Sequence, residues 1–351
     1  MGKRNAVLLA VLIASGAILL PHPLPASGVY EEDLSTVREE IFAMDTYMTV
    51  SATGRNAKEA VEDALEEIRT LDALWSISEK DSEVSRLNRH ESVRLSPDTR
   101  SVLERALEIS RDTGGAFDIT IYPLMEEWGF PTGNYQIPSE KILKELLGRV
   151  GSDTLDLRTE DPYTLPSDRQ IDLGGIAKGY TSDRIMEIFE AHQVAAGIVS
   201  LGGNVETFRT KADGSLWKVG IQNPDPDLEA LSGADVIGIV ETAGKAVVTS
   251  GGYERYFEKD GVRYHHILDP ETGMPAAGGL ISVSVVSTDG CLADALSTAL
   301  FVMGKEDALS YWKERRDLFD MILVEEDGNI TVTSGLKDCF TSDLPFETAE
   351  P

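Results

Sequence analysis

Ala57, Ala60, Val61, Ala64, Leu65, Ile68, Leu71, Leu74 and Trp75 recur at three- and four-residue spacing with acids between them. That spacing predicts an amphipathic helix over residues 57–75 with one apolar stripe. Pro97 to Thr113 repeats the pattern, with Ser96 placed to cap the N-terminus, Pro97 at the first helical position and Gly114 just past the end. Both segments read as scaffold. From Ile171 onward the texture changes to short β-branched runs beside glycine pairs: Ile198-Val199-Ser200 before Gly202-Gly203, Val247-Val248-Thr249 before Gly251-Gly252, and Ile281 to Val286. Tyr253 to Phe257 and Val262 to Ile267, around Lys259-Asp260-Gly261, predict a hairpin. Residues 155–170, with Pro162 and Pro166, form the best linker candidate, and there is no internal repeat or low-complexity tract. The pattern as a whole is an α/β (α+β) chain in two intimate halves.

The N-terminus follows a different rule. A basic start, Lys3-Arg4, leads into an apolar run from Ala6 to Leu20 and an exit through Pro21 to Ser27, the pattern of an export signal over residues 1–27. The run is short of the roughly 20 residues of a comfortable membrane span, so cleavage and an uncleaved anchor both stay open. No Cys follows it to take a lipid; the first in the chain is Cys291. Residues 28–345 then form the folded domain and 346–351 a tail. The 351 residues carry 60 acidic against 32 basic side chains, a formal net charge of -28. Such a field repels nucleic acid and anionic lipid, and any phosphate ligand needs a cation or backbone N–H donors to offset it. With 2 Cys, a disulfide scaffold and a thiolate metal cluster are excluded, and Cys291 and Cys339 can pair only if the fold brings them together.

Several segments could carry chemistry. Ile171 to Tyr180 places Gly174-Gly175 and Lys178 ahead of a helix running to about His192. Glycines at a strand-to-helix turn let main-chain groups approach a ligand, although the spacing is neither a dinucleotide fingerprint nor a P-loop. Asp289 can cap a helix ending near Gly304, which sets Asp294 and Thr298 four apart on one face. With a main-chain carbonyl they make an all-oxygen set for a hard cation such as Mg²⁺, while a helix-dipole Asp and a back-bonded Thr fit the same pattern. His265 and His266 point to opposite sides of a strand, so one faces a cleft and the pair cannot share a metal. Gly114 to Thr120, with Tyr122, Trp128 and Phe130, offers aromatic faces for a flat ring or for a core. Leu74 to Ile77 and Ser82 to Asn88 say little by themselves.

Taken in order, Met44 to Met48, Ser82 to Asn88, Gly115 to Thr120, Asp172 to Tyr180, Ser200 to Val205, Thr249 to Arg255, His266 to Gly273 and Asp294 to Thr298 resemble the ApbE family of FAD:protein FMN transferases. The resemblance implies a two-subdomain fold with mixed sheets flanked by helices and a flavin cleft between them. It implies that FMN passes from FAD to a Thr or Ser hydroxyl of an acceptor protein, as a phosphoester, with release of AMP. By the same resemblance Gly175, Asp294 and Thr298 hold Mg²⁺. Met44, Trp75, Ala116, Phe117, Asp118, Asp172, Lys178, His266 and Leu268 contact FAD, and His266 or Asp294 acts as the base. Two rivals share these sites: a Mg²⁺-dependent FAD pyrophosphatase, with water as the acceptor, and a non-enzymatic flavin-binding protein of the envelope. The chain departs from the family in lacking a lipobox Cys and in having Asp45 where Gly is common. The expected location is the periplasm or the outer face of the cytoplasmic membrane.

Overall fold

Apolar side chains alternate along the central strands between two cores, one per face of a large sheet. The computed structural model describes residues 35–158, 161–224 and 235–351, so the expected signal at 1–27 lies outside the described residues. Among them the main sheet has nine strands. In spatial order they are β1 (Thr36–Ala43), β2 (Thr46–Thr53), β3 (Ala196–Leu201), β4 (Asn204–Phe208), β7 (Ala246–Gly251), β10 (Leu280–Ser287), β11 (Phe319–Glu325), β12 (Ile330–Thr333) and β14 (Glu347–Ala349). Neighbours are antiparallel except β12 and β14. Ala246, Val248, Val283, Val285, Met321 and Leu323 face the helices; Val247, Val286, Ile322 and Val324 face a small sheet. That sheet orders β13 (Phe340–Thr341), β6 (Val236–Thr242) and β5 (Trp217–Gln222). The two-residue period of a strand thus assigns each neighbouring residue to a different core.

The helical layer contains α1 (Ala57–Trp75), α3 (Pro97–Asp112), α6 (Ala177–Ala191), α7 (Gly290–Met303) and α8 (Lys305–Arg315). The apolar stripe of α1 is buried at Ala57, Ala60, Val61, Ala64, Ile68, Leu71 and Trp75, as its spacing predicts. Ser96 caps α3 by accepting from Thr99 N–H, and Asp289 caps α7 by accepting from Leu292 N–H. Helices α6 and α7 cross at touching distance: a Cβ on Gly179 would stand 2.2 Å from the Gly290 carbonyl oxygen and 2.6 Å from Asp294 Cβ. No residue larger than glycine fits there without separating the two helices.

A smaller aromatic core joins α4 (Tyr122–Trp128), α5 (Glu140–Leu147) and the hairpin β8 (Tyr256–Lys259) with β9 (Val262–His265). Trp128 and Phe130, candidates for stacking on a flat ligand, are instead 0% and 2% exposed inside this core. The hairpin turns on Asp260 and Gly261, both at positive φ, so its strands are shorter than the sequence suggested. The described residues form one compact unit. The proposed linker over 155–170 is packed rather than free, because Leu155, Leu157 and Leu165 are buried in the main core. Likewise the expected tail carries β14, which closes one edge of the main sheet.

Candidate active site

A cleft of about 800 Å³ opens where the end of the main sheet meets the loops before α4 and α6 and the segment after β9. Every residue expected from sequence to bind metal or flavin lines it: Met44, Trp75, Ala116, Phe117, Asp118, Asp172, Gly175, Lys178, His266, Leu268, Asp294 and Thr298. Met44 and Asp45 form the two-residue turn between β1 and β2, with φ of 47° and 58°. A turn with both central residues left-handed matches the twist of a hairpin but strains side chains other than glycine. Asp72 accepts a hydrogen bond from the Met44 N–H at 3.1 Å and holds the turn against α1. Asp45 therefore occupies the position where glycine would relax the turn.

On the helical side, Asp294 is 3% exposed and its Oδ2 accepts from the Gly179 N–H at 2.8 Å. Its Oδ1 lies 3.9 Å from Lys178 Nζ, which also donates to the Gly174 carbonyl at 3.1 Å. One turn along α7, Thr298 Oγ1 is 3.3 Å from Ser250 Oγ, and a Cβ on Gly175 would stand 3.5 Å from Thr298 Oγ1. Asp294, Thr298 and the Gly175 main chain, distant in sequence, are thus neighbours. All three offer oxygen, and a Cβ on Gly175 would sit tightly against Phe117 at 3.2 Å, so the donor set fits a small hard cation. Among the described residues no group of three or more His, Cys, Asp and Glu converges as a cage. A cation here would lean on the phosphates of its ligand.

His266 and His265 part as the strand geometry requires. His266 lines the cleft, whereas His265 packs edge-on against Phe301 at 5.4 Å. His266 Nδ1 bonds the Arg255 carbonyl at 3.2 Å, which places the ring proton on Nδ1 and leaves Nε2 as an acceptor. Burial first, then the Arg255 cation, depress its pKa to about 3. Burial also raises the carboxyl of Asp172, although its Oδ1 accepts from the Gly174 N–H at 2.7 Å and Arg255 and Lys178 favour its charge. Asp118 differs from the expectation for a ligand side chain. Its Oδ1 accepts from Thr120 N–H and Oγ1–H, and its Oδ2 from Ser152 N–H. The carboxylate is largely engaged by the protein itself. Trp75 donates Nε1–H to Thr99 and meets Tyr180 edge to face at 5.4 Å, so only part of its ring reaches the cavity.

The cleft also holds residues that sequence reading did not single out. Glu254 stands beside Lys178 and Asp294 and Arg255 beside Asp172 and His266, and withdrawal from bulk water pushes the Glu254 carboxyl up to about 7. Asn204 and Gln222 add amides at the strand ends. Thr249 to Arg255 had matched as a stretch, but nothing in its local pattern distinguishes a cleft residue from a turn residue. Cys291 is buried and Cys339 partly buried, both free, and burial raises the Cys291 thiol so that it is no nucleophile.

Residues 44–323 match the model of the ApbE family. The chain is 34% identical to the FAD:protein FMN transferase of Treponema pallidum over 297 residues, 78% of this chain and 80% of that one. With the FAD:protein FMN transferase of Escherichia coli K12 it shares 31% identity over 342 residues, 93% of each. The fold superposes on the ApbE protein of Thermotoga maritima with a TM-score of 0.80 and 33% identity, over 87% of this chain and 99% of that one. The flavin transferase ApbE of Vibrio cholerae gives a TM-score of 0.77 at 27% identity over the same shares.

Proposed function

Because this chain belongs to the ApbE family, we propose that it is a Mg²⁺-dependent FAD:protein FMN transferase working in the cleft that joins Lys178, His266 and Asp294. The observation that carries the reading is the meeting of Asp294, Thr298 and the Gly175 main chain beside Lys178 in an otherwise acidic protein. Only such a local cluster makes room for the negative charge of a dinucleotide pyrophosphate.

Met44, Ala116, Phe117 and Leu268, with part of Trp75, supply flat apolar walls for the ring systems of FAD. Lys178 and Arg255 supply the positive charge that the phosphates need, and Asp172 orders the Gly174 turn through its N–H. Gly175, Asp294 and Thr298 would hold Mg²⁺, which when bound withdraws charge from the phosphoryl oxygens. Asp294 is held for that role by the Gly179 N–H. His266 Nε2 takes the proton from the acceptor's Thr or Ser hydroxyl as its oxygen bonds to the phosphorus on the FMN side and the bond to AMP breaks. Burial is the first cause of the low His266 pKa, and Arg255 and Lys178 add to it; FAD phosphates would offset only the part that these cations contribute. The N-terminal segment, as signal or anchor, takes the protein to the periplasm or the outer face of the cytoplasmic membrane, where the acceptor is an envelope redox protein.

The test is a product analysis with FAD and Mg²⁺, with and without an acceptor domain. AMP that forms with no matching free FMN when the acceptor is present supports transfer. Equal AMP and free FMN in both samples would make water the acceptor, and intact FAD throughout would leave a binding protein.

A further inference from the structure

Beneath the cleft, and outside it, lies a second acidic cluster that the transfer chemistry does not use. Asp183 on α6 accepts hydrogen bonds from both N–H groups that open α7, Gly290 to Oδ1 at 2.8 Å and Cys291 to Oδ2 at 2.8 Å. Glu206 on β4 is 4% exposed, and its Oε2 has no hydrogen-bond partner. Ser182 Oγ, Glu206 Oε2 and Asp183 Oδ1 lie 2.7, 2.8 and 2.9 Å from one point, the place where a Cβ on Gly290 would stand. Ser182 Oγ donates to the Gly179 carbonyl at 2.9 Å, and the same hydroxyl is the side chain that favours charge on Glu206. Two carboxyl groups thus crowd one point, Asp183 held by the two main-chain N–H groups and Glu206 with only the shared Ser182 hydroxyl beside it. A proton on Glu206 resolves the arrangement.

We propose that Glu206 and Asp183 share a proton and together pin the start of α7 against α6 and β4, making them positioning residues for Asp294, one turn further along α7. The proposal rests on the reading of Asp294 and Thr298 as the cation site. Its geometry is direct, because the pinned residue Gly290 is also the contact of Gly179, whose N–H holds Asp294. The groups facing Glu206 are Ser182 and Asp183 from α6 and Asp289 at the cap of α7. Asp289 is itself paired with Arg105 of α3. Burial first, then the neighbouring acids, push both carboxyls above their ordinary range. Loss of the shared proton leaves two buried anions side by side and drives α7 from its seat.

The experiment follows melting temperature and FMN transfer from about pH 6 to about pH 9 for the wild type, Glu206→Gln and Asp183→Asn. A carboxyl whose folded pKa is raised binds more protons in the folded than in the unfolded state, so stability falls as pH rises until that carboxyl is ionised. The wild type is expected to lose melting temperature and kcat on the alkaline side. Glu206→Gln, which replaces the protonated acid with a neutral donor of the same shape, keeps its neutral-pH kcat and shows a clearly smaller alkaline loss of both, the remainder coming from Glu254 and Asp183. Asp183→Asn, which turns an N–H donor toward the α7 amides, needs about tenfold more Mg²⁺ for half-activity. If Glu206→Gln melts with the same alkaline loss as the wild type, the shared proton is wrong. The melting arm decides this even if no FMN transfer occurs, an outcome that would count against the enzymatic reading instead.

Discussion

His266 shows how much a single side chain owes to its surroundings. Its ring is neutral because burial, with Arg255, His265 and Lys178, opposes a second positive charge. A group whose folded pKa is depressed binds fewer protons than in the unfolded chain, so acid weakens the fold between the ordinary histidine value of about 6.5 and the depressed one. His266→Gln is expected to lose less melting temperature than the wild type on acidification through that range. The same variant should lower kcat for transfer by about 100-fold or more, the usual contribution of a general base, with FAD affinity little changed. Equal acid sensitivity in both proteins, or undiminished kcat, would remove His266 from the role of base. Sequence pattern showed that the two histidines part to opposite faces. It did not show which nitrogen is free, because that depends on the Arg255 carbonyl, brought close by the pairing of β8 and β9. Asp118 makes the same point in reverse. Its place at the cleft was legible, but its carboxylate partners were not, Thr120 through a tight local turn and Ser152 through a contact 34 residues along the chain, neither marked by periodicity.

At the scale of elements, the site depends on the crossing of α6 and α7. Gly179→Ala would thrust a methyl group against the Gly290 carbonyl and Asp294 Cβ. Overpacking of this kind costs about 1–3 kcal/mol, and because it pushes Asp294 away from α6 it should raise the Mg²⁺ requirement as well as lower the melting temperature. A variant that melts lower but keeps its Mg²⁺ response would show that the crossing serves packing alone. The long helices were legible because each has one wet and one dry face: α1 and α3 declare themselves by spacing and caps. The strands β11 and β12 were not singled out, since short apolar runs buried on both faces lack the alternation that marks a half-exposed strand. The β1–β2 hairpin hid for another reason. Its turn is Met44-Asp45, which lacks the glycine or asparagine that usually marks left-handed positions. Residues 155–170 read as a linker from their prolines, yet leucines at 155, 157 and 165 anchor the stretch in the core.

Across the whole molecule, one sheet supports two kinds of wall around one cleft. Helices on one face deliver Asp294, Thr298 and Lys178, and the small aromatic core beyond the sheet delivers His266 and Leu268. In a chain with a net charge of -28, Lys178 and Arg255 line the cleft, where the proposed reading needs positive charge for a pyrophosphate. That arrangement leads to one claim, that the cleft moves FMN onto a protein hydroxyl by way of a cation held on Asp294. The most direct measurement is the intact mass of an acceptor domain after incubation with this protein, FAD and Mg²⁺. The account predicts a gain of one FMN that disappears both with a chelator and with Asp294→Ala. An acceptor that stays unmodified while FAD is split, or a gain that survives chelation and Asp294→Ala, would contradict it.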